Sequence, residues 1–350
     1  MVFQLYDKNY KRLMIIPAVL AIAFLLILLV FPGIKLGLDF VGGVRVVVNT
    51  DKLSEKPVQE LLSQELNLKE VKVSVVTSPF GTSARIEYAE PQELTQARQL
   101  LDQALQVKAT APTQARSLLT QSLTTLNITP TSEVVDDLVT QASQAINTRS
   151  TELSNSVRQK LTERFSLPAD TSFTIEEVTP TFGATFLSNA IFVGIISILL
   201  LTIVIFIFFR EVVPSLAMIQ AILFDMLTAV ALTTLFGFSI TLSSVAALLM
   251  LVGFSIDTDI LLTTRALKRQ DKTVLARMNE SVMTGLTVTS TVMGASLVML
   301  IVSYTAQIST IFEIAAIVFF GSIGDVIATY LMNGPILLWY WESKHGKVEA

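Results

Sequence analysis

Six long apolar runs constrain what this chain can fold into more than any other feature. They occupy residues 13–31, 188–209, 213–236, 242–264, 282–302 and 308–339. A helix needs about 20 predominantly apolar residues to cross a bilayer, and irregular backbone in the hydrocarbon core would leave its polar groups unsatisfied. Because 51% of the 350 residues are hydrophobic and 15% are charged, the sequence predicts a polytopic α-helical membrane protein with six transmembrane helices.

The first run also has the position of a secretory signal. It is longer than the apolar region of most signal peptides, and the Phe-Pro-Gly-Ile-Lys sequence at its end lacks the small-x-small pattern of a cleavage site. We therefore expect a retained transmembrane helix at 13–31.

Positive charge marks one side of the predicted membrane region. Lysines and arginines lie before the first run, after the second, after the fourth and after the last: Lys8, Lys11, Arg12, Arg210, Arg265, Lys268, Arg269, Lys272, Arg277, Lys344 and Lys347. The loops at 237–241 and 303–307 contain none. Cytoplasmic loops carry an excess of Lys and Arg, so we predict a plasma-membrane protein whose N-terminus (1–12) and tail (342–350) are both cytoplasmic.

The polar stretch at 33–187 is then predicted to fold outside the cytoplasm as one domain. β-Branched runs at 44–49, 71–77, 84–88 and 171–178 indicate four strands, with a helix beginning near Pro57. Strands that alternate with helices favour an α+β fold of the ferredoxin-like type. Leucines at helical spacing predict a helical insertion of three or four segments at 91–165, with Pro112 and Pro130 at boundaries between segments, for which a flexible polar linker is the alternative. The last five spans form a bundle at 188–341.

The sequence lacks the side chains that several classes of functional site require. The chain contains no cysteine and one histidine, His345 in the polar tail, so thiolate metal sites, cysteine nucleophiles and histidine triads are excluded. The net charge of −4 gives no basic surface for nucleic acid. We predict neither an enzyme nor a cofactor or metal site, and we expect membrane lipid rather than nucleic acid around the chain.

Four aspartates lie inside the predicted spans: Asp225 in the third, Asp257 and Asp259 in the fourth, and Asp325 in the sixth. A charge at the bilayer centre costs about 3 kcal/mol, and intramembrane acids commonly mark ion or proton paths. The sequence holds no Lys, Arg or His at 213–264 or at 281–343. A buried carboxylate without a cationic partner is stabilised by taking up a proton. The four aspartates are therefore candidate proton carriers, with Asp257 as the first choice.

The two aspartates of the fourth span lie about 200° apart around a helix, so we expect one in the bundle and the other at a neighbouring helix or a water-filled crevice. Hydroxyls that could relay a proton are Ser255, Thr258, Thr263, Thr264, Thr287, Thr289, Ser290 and Thr291. Alternatively, the aspartates are neutral and only hydrogen-bond helices together, at about 0.6–2 kcal/mol each. Gly321 and Gly324 beside Asp325 fit such a helix contact.

A glycine-rich segment, Gly37-Leu-Asp-Phe-Val-Gly-Gly43, follows the first run. Gly37, Gly42 and Gly43 permit positive φ and close backbone approach, and Asp39 can cap the turn. Nucleotide binding is excluded because a strand and not a helix follows the glycines, and the lysine of a phosphate-binding loop is missing.

Two motifs together resemble one family. The glycine-rich segment is similar to the signature of SecD and SecF, accessory subunits of the Sec protein-translocation machinery. The segment Gly253-Phe-Ser-Ile-Asp-Thr-Asp-Ile-Leu-Leu-Thr-Thr-Arg265 resembles the fourth-span motif of archaeal-type SecF. Val178-Thr-Pro-Thr-Phe-Gly183, Asp225 and Glu280-Ser-Val match this family as well. Both ends of the chain and its six-span layout carry the resemblance.

The resemblance implies half of a transporter of the resistance-nodulation-division (RND) type, paired with a SecD-like subunit. It also implies that the proton motive force drives assistance to unfolded polypeptides leaving the Sec protein-conducting channel. Bacterial members place an arginine opposite the fourth-span acid, but Val288 stands at that position here. Whether Asp257 and Asp259 share a proton with each other, or with Asp225 or Asp325, stays open. The alternatives are half of an RND-type small-molecule or lipid exporter, and a membrane scaffold without transport.

Overall fold

The structure is a computed structural model, which describes residues 5–7, 9–30, 33–78, 81–168, 170–178, 180–269, 272–306 and 308–345. The chain divides into two compact units. One is the α+β domain, Leu38–Leu187, and the other is the membrane bundle, which combines Met1–Gly37 with Ser188–Ala350. A short 3₁₀ helix, Tyr10–Met14, leads into α1, Ile15–Leu29, which is the first span of the bundle.

A four-stranded antiparallel sheet forms the centre of the α+β domain. The chain order is α2 (Leu38–Val41), β1 (Gly43–Asn49), α3 (Glu55–Glu65), β2 (Lys72–Ser78), β3 (Gly81–Tyr88), a helical stretch, and β4 (Phe173–Val178). The strands lie in the order β2-β3-β1-β4, and β1 pairs with β3 in the register Val46↔Ile86 and with β4 in the register Val46↔Ile175. With one helix after β1 and another before β4, this is the ferredoxin-like βαββαβ arrangement, and the predicted fold class is confirmed.

Three helices connect β3 to β4: α4 (Gln92–Val107), α5 (Pro112–Thr125) and α6 (Val135–Phe165). The C-terminal half of α6, with Val157 and Leu161, packs in the core of the sheet. This half is therefore the second helix of the ferredoxin-like unit. The N-terminal half, with Leu138 and Ile146, packs against α4 and α5 in a separate core. The stretch predicted at 91–165 is helical, but its last turns belong to the ferredoxin-like unit and not to the insertion.

Five further spans complete the membrane bundle: α7 (Pro180–Phe209), α8 (Val212–Leu235), α9 (Leu242–Leu267), α10 (Val274–Ala306), and a sixth span made of α11 (Ser309–Ile327), a π-helical segment (Ala328–Asn333) and α12 (Gly334–His345). Together with the first span they are the six helices of the described residues that are long and apolar enough to cross a membrane. The multi-pass prediction is thus confirmed. Within the bundle, 56% of the apolar window of α8 and of the sixth span is buried, against 11% in the first span and 6% in α7. The centre of the bundle is therefore built by α8 and the sixth span.

Candidate intramembrane carboxylate site

Three aspartates come together in the membrane bundle. Asp225 on α8, Asp259 on α9 and Asp325 on α11 are 1%, 0% and 4% exposed. Asp259 and Asp325 share the Thr329 hydroxyl, and the backbone next to Asp325 is in close contact with that of Asp225. We call these three residues the carboxylate cluster. The fourth candidate, Asp257, lies on the exposed face of α9. The structure thus brings three of the four candidate aspartates together and leaves the first choice outside.

The side chain of Thr329 connects two acids of the cluster. Its hydroxyl oxygen lies 3.0 Å from Oδ1 of Asp259 and 3.2 Å from Oδ1 of Asp325. Asn333 donates to the same Asp259 oxygen at 2.7 Å through its side-chain amide. A hydroxyl carries one hydrogen, so Thr329 donates fully to only one carboxylate at a time. Its hydrogen bond can therefore switch between the two acids when a proton moves.

Two hydroxyls from the predicted set bond two further carboxylate oxygens. Ser255 donates to Oδ2 of Asp225. Thr289 donates to Oδ2 of Asp325 at 3.0 Å. Both hydroxyls are buried, so each acid of the cluster accepts at least one hydrogen bond from a side chain of another helix or of the π-helical segment.

A small cavity lies beside Asp325, lined in part by Ser255, Thr289 and Val288. Its volume of about 20 Å³ has room for about one water molecule. Val288, which the resemblance described above aligns with an arginine of bacterial members, also lines the cavity. Ser255 lines this cavity and also donates to Asp225, so its hydroxyl lies between Asp225 and the cavity beside Asp325.

A proline in the sixth span explains the π-helical segment. Pro335 has no N–H, and a proline ring crowds the carbonyl four residues earlier in an α-helix. The helix is wider here: Ala328–Asn333 is π-helical, and the Gly334 N–H donates to the Thr329 carbonyl five residues back. Such π segments are rare and often lie at functional sites. In this one, Thr329 and Asn333 both reach Asp259.

Glycines let the helices around the cluster approach closely. A Cβ added at Gly324 would lie 2.8 Å from Cβ of Thr228 and 3.1 Å from Cα of Asp225, so α11 and α8 are in close contact at this point. A Cβ at Gly285 on α10 would lie 1.9 Å from the Tyr330 hydroxyl oxygen. Small residues at such contacts are typical of packed membrane helices. Gly324 therefore accounts for the helix contact, while the Asp325 carboxylate meets hydroxyl groups.

The carboxylate cluster needs protons to be stable. Neighbouring buried carboxylates repel each other, and an ionised group without a counter-charge is costly to bury. Lys, Arg and His are missing from the sequence at 213–264 and 281–343. Among the described residues, Oδ1 of Asp225 and Oδ2 of Asp259 are buried without a hydrogen-bond partner, so no neighbouring donor stabilises a negative charge on these atoms. The arrangement is suited to taking up, sharing and releasing protons.

Thr329 and Asn333 were missed in the sequence, although a signal exists. Asp325, Thr329 and Asn333 are spaced by four residues, which places them along one face of a helix. The Gly334-Pro335 pair that follows marks a break in regular helical hydrogen bonding. Polar residues at this spacing in an apolar run, ending at a proline, could have identified both.

Backbone contacts hold the first glycine of the motif in the membrane bundle. The Gly37 N–H donates to the Ile240 carbonyl at 2.7 Å, and the Ile240 N–H donates to the Lys35 carbonyl at 2.7 Å. A Cβ at Gly37 would lie 2.6 Å from Cγ2 of Thr241. The chain after α1 is thus paired with the loop between α8 and α9.

The last two glycines of the motif lie in the α+β domain, at the start of β1. Gly42 has φ +80° and donates its N–H to the Leu38 carbonyl at 2.7 Å. Gly43 has φ +145°, and a Cβ there would lie 2.5 Å from the Tyr88 carbonyl oxygen. Asp39 lies in the first turn of α2. The geometry gives the glycines a role in backbone conformation and packing.

Comparison with known proteins identifies a family. The profile described as protein export membrane protein SecD/SecF, C-terminal, matches residues 157–343, which is more than half of the chain, and the SecD/SecF GG motif matches residues 27–52. The protein-export membrane protein SecF of Methanolacinia petrolearia is 39% identical over 48% of this chain and 59% of its own. SecF of Pyrococcus furiosus is 37% identical over 55% of this chain and 63% of its own. The chain thus spans about three fifths of the length of these relatives.

Crystal structures of SecDF share the fold. SecDF from Thermus, described as a translocon-associated membrane protein, aligns with a TM-score of 0.58 at 16% identity, over 97% of this chain and 39% of its own. The super-membrane-facing form of SecDF aligns with a TM-score of 0.55 at 15% identity, over 98% of this chain and 40% of its own. These matches agree with the glycine motif, the fourth-span motif and the six spans. The chain belongs to the SecD/SecF family of protein-export membrane proteins.

Proposed function

We propose that the chain is the SecF-type accessory subunit of a Sec translocase and uses the proton motive force to assist protein export. Its curated relatives are named protein-export membrane proteins, which supports the export role. The carboxylate cluster carries the energetic part of the proposal, because buried acids without a cation in their spans take up protons and give them up only when their surroundings change. The substrate is an unfolded polypeptide leaving the protein-conducting channel.

In this proposal protons pass between the acids through hydroxyl groups. Ser255 and the water-sized cavity link Asp225 with Asp325, and Thr329 links Asp325 with Asp259. Each transfer changes the charge that one helix presents to another. One charge crossing 100 mV releases about 2.3 kcal/mol, which is enough to shift an equilibrium between two helix arrangements that differ by a similar amount.

Hydroxyl groups take the place of the bacterial arginine in this mechanism. An arginine would stabilise an ionised acid by its charge, whereas Thr289 donates a neutral hydrogen bond to Asp325 at 3.0 Å. Neutral donors stabilise a carboxylate less than a cation does. The cluster is therefore expected to favour protonated acids and to lose protons only when the helices rearrange.

We place both termini in the cytoplasm and the α+β domain on the other side of the membrane. The basic residues at one set of span ends support this orientation. At that boundary Lys344 pairs with Glu211 at 2.7 Å and Lys11 pairs with Glu342 at 3.3 Å. In this orientation the α+β domain is available to an emerging polypeptide.

A SecD-like subunit is the partner that we propose for the exposed face of α9. Asp257 lies on this face, and a carboxylate exposed to lipid is unfavourable by about 3 kcal/mol. A second transporter half would cover it. This chain covers only 39–40% of the length of the SecDF chains. The rest of a SecDF chain is long enough to contain a second transporter half, which supports an RND-type pair.

The test compares two aspartates of one helix in membrane vesicles that carry the translocase. Asp259→Asn keeps an oxygen for the bonds from Thr329 and Asn333 but removes the titratable group. We expect its export rate to fall to the level that wild-type vesicles show when an ionophore collapses the proton gradient, with no further response to the ionophore. Asp257→Asn is the matched control and should keep its response.

The proton-carrying role, the scaffold and the exporter half predict different results for the aspartate variants. Wild-type, gradient-sensitive export by Asp259→Asn and by Asp325→Asn would contradict the proton-carrying role. Unchanged export in every aspartate variant would indicate a scaffold. Unchanged export together with lost efflux of a small apolar compound would indicate an exporter half.

A further inference from the structure

The residues before the first span are folded against the membrane bundle. The backbone N–H groups of Leu5 and Tyr6 both donate to Oδ1 of Asn279, at 2.9 and 3.0 Å, and the Asn279 amide donates to the Tyr6 carbonyl at 3.3 Å. Tyr6 is 2% exposed and Asn279 is 5% exposed. One side chain near the start of α10 therefore holds the backbone of residues 5 and 6, and the Tyr6 ring lies in a hydrophobic core of the bundle.

The Tyr6 hydroxyl bonds a backbone carbonyl of the sixth span that lacks its helical N–H donor. In the π-helical segment the Gly334 N–H donates to the carbonyl of Thr329. The next donor in this pattern would be the N–H of residue 335, and its acceptor would be the Tyr330 carbonyl. Pro335 has no N–H, so the span itself does not supply this donor. Tyr6 supplies it, because its hydroxyl donates to the Tyr330 carbonyl at 2.9 Å.

Two further features fit this contact. A Cβ at Gly334 would lie 2.0 Å from the Tyr6 hydroxyl oxygen, so only a glycine leaves room for the tyrosine. Burial raises the pKa of Tyr6 well above its usual value, so the hydroxyl keeps its proton and remains a donor. Buried backbone carbonyls nearly always have a partner, and here the partner comes from the N-terminal segment.

We propose that Tyr6 is a positioning residue for the carboxylate cluster. Residues 5–7 form a latch, fixed by Asn279 and by the Tyr330 carbonyl, that holds the π-helical segment in the geometry from which Thr329 and Asn333 bond Asp259. Release of the latch lets the segment change its hydrogen bonding and withdraws those two donors. The effect on export rests on the proposed function, whereas the latch itself does not.

Hydrogen exchange of the full chain in lipid nanodiscs tests the latch. Tyr6→Phe keeps the ring and removes only the hydroxyl. Loss of this hydrogen bond should raise the exchange rates of the backbone amides at 328–334 about 10-fold, which corresponds to about 1.4 kcal/mol. Tyr10→Phe is the matched control, because the buried Tyr10 hydroxyl donates to Glu342 and not to the π-helical segment. It should leave the exchange of these amides unchanged.

A double substitution separates hydrogen bonding from packing. Pro335→Ala restores an N–H that can donate to the Tyr330 carbonyl, so adding Tyr6→Phe to this background should change exchange by less than about twofold. An equal effect of Tyr6→Phe in both backgrounds would show that Tyr6 only packs, and would overturn the proposal. Asn279→Ala removes the other anchor of the latch and should speed exchange in both backgrounds, which verifies that the segment still responds.

Export assays then test the consequence for the cluster. Tyr6→Phe should displace the pH profile of gradient-driven export, and the added Pro335→Ala should return it toward the wild-type profile. An unchanged profile in Tyr6→Phe would overturn the positioning role. Failure of wild-type export to respond to the gradient would count against the proposed function alone, because the exchange measurements do not depend on it.

Discussion

Replacement of Thr329 by Val should uncouple Asp259 from Asp325. Valine has nearly the same shape as threonine but lacks the hydroxyl, which lies 3.0 and 3.2 Å from the two carboxylates. A hydrogen bond to a charged group contributes about 1.5–3 kcal/mol. At about 1.4 kcal/mol per factor of ten, the equilibrium for a proton between the two acids should change by about 10- to 100-fold. The fold should persist, because Asn333 still bonds Asp259 and Thr289 still bonds Asp325.

The assay is the initial rate of export into vesicles, measured with and without a proton gradient. Thr329→Val should slow the gradient-dependent part of the rate by about 10-fold or more and leave the gradient-independent part unchanged. Thr291→Val is the control, because Thr291 is exposed and its hydroxyl donates at 2.9 Å to a carbonyl of its own helix. Equal gradient-dependent rates in the two variants would refute the role of Thr329.

Three further predictions concern stability. Gly324→Ala would place a methyl group 2.8 Å from Cβ of Thr228 and should cost about 1–3 kcal/mol; an unchanged thermal midpoint in detergent would argue against the close contact of α8 and α11. Hydrogen bonds from Lys344 and Tyr340 lower the pKa of Glu211 below its ordinary 4.5. The ionised Glu211 therefore stabilises the folded protein fully above about pH 4.5, and this contribution is lost as the pH falls through the lowered pKa. Glu211→Gln should therefore reduce the free energy of unfolding by less than about 1 kcal/mol at neutral pH and make it less dependent on pH in the acidic range. The same pH dependence in the wild type and the variant would contradict this role of Glu211. Ser122→Ala removes a buried hydroxyl that donates at 2.7 Å to a carbonyl of α4, and unfolding of the insertion, followed by hydrogen exchange, should become easier by about 1 kcal/mol; unaltered protection would contradict this.

Much of the fold could be predicted because the signals are local. Apolar runs predicted the six spans, and β-branched runs predicted four strands that the structure places at Gly43–Asn49, Lys72–Ser78, Gly81–Tyr88 and Phe173–Val178. The division of α6 could not be predicted in the same way. Its apolar residues recur at helical spacing over the whole length of 31 residues, and periodicity does not show that its two halves pack in different cores.

The site was only partly predictable, for a physical reason. The helical angle between Asp257 and Asp259 shows that they face different directions, but it does not show which one faces the bundle. That depends on the rotation of α9 against α8 and the sixth span, which tertiary packing sets. In the same way, the contact of Thr329 with two acids depends on the π-helical segment, and therefore on how the chain adapts to Pro335.

Infrared titration of the protein in lipid membranes reports the protonation of the carboxylate cluster itself, because protonated carboxyl groups absorb separately from ionised ones. We expect a protonated-carboxyl band that changes when a proton gradient is imposed, that loses intensity in Asp259→Asn, and that keeps its intensity and its response to the gradient in Asp257→Asn. A band that does not respond to the gradient, or one that persists in Asp259→Asn and disappears in Asp257→Asn, would contradict the assignment of proton carrying to the carboxylate cluster.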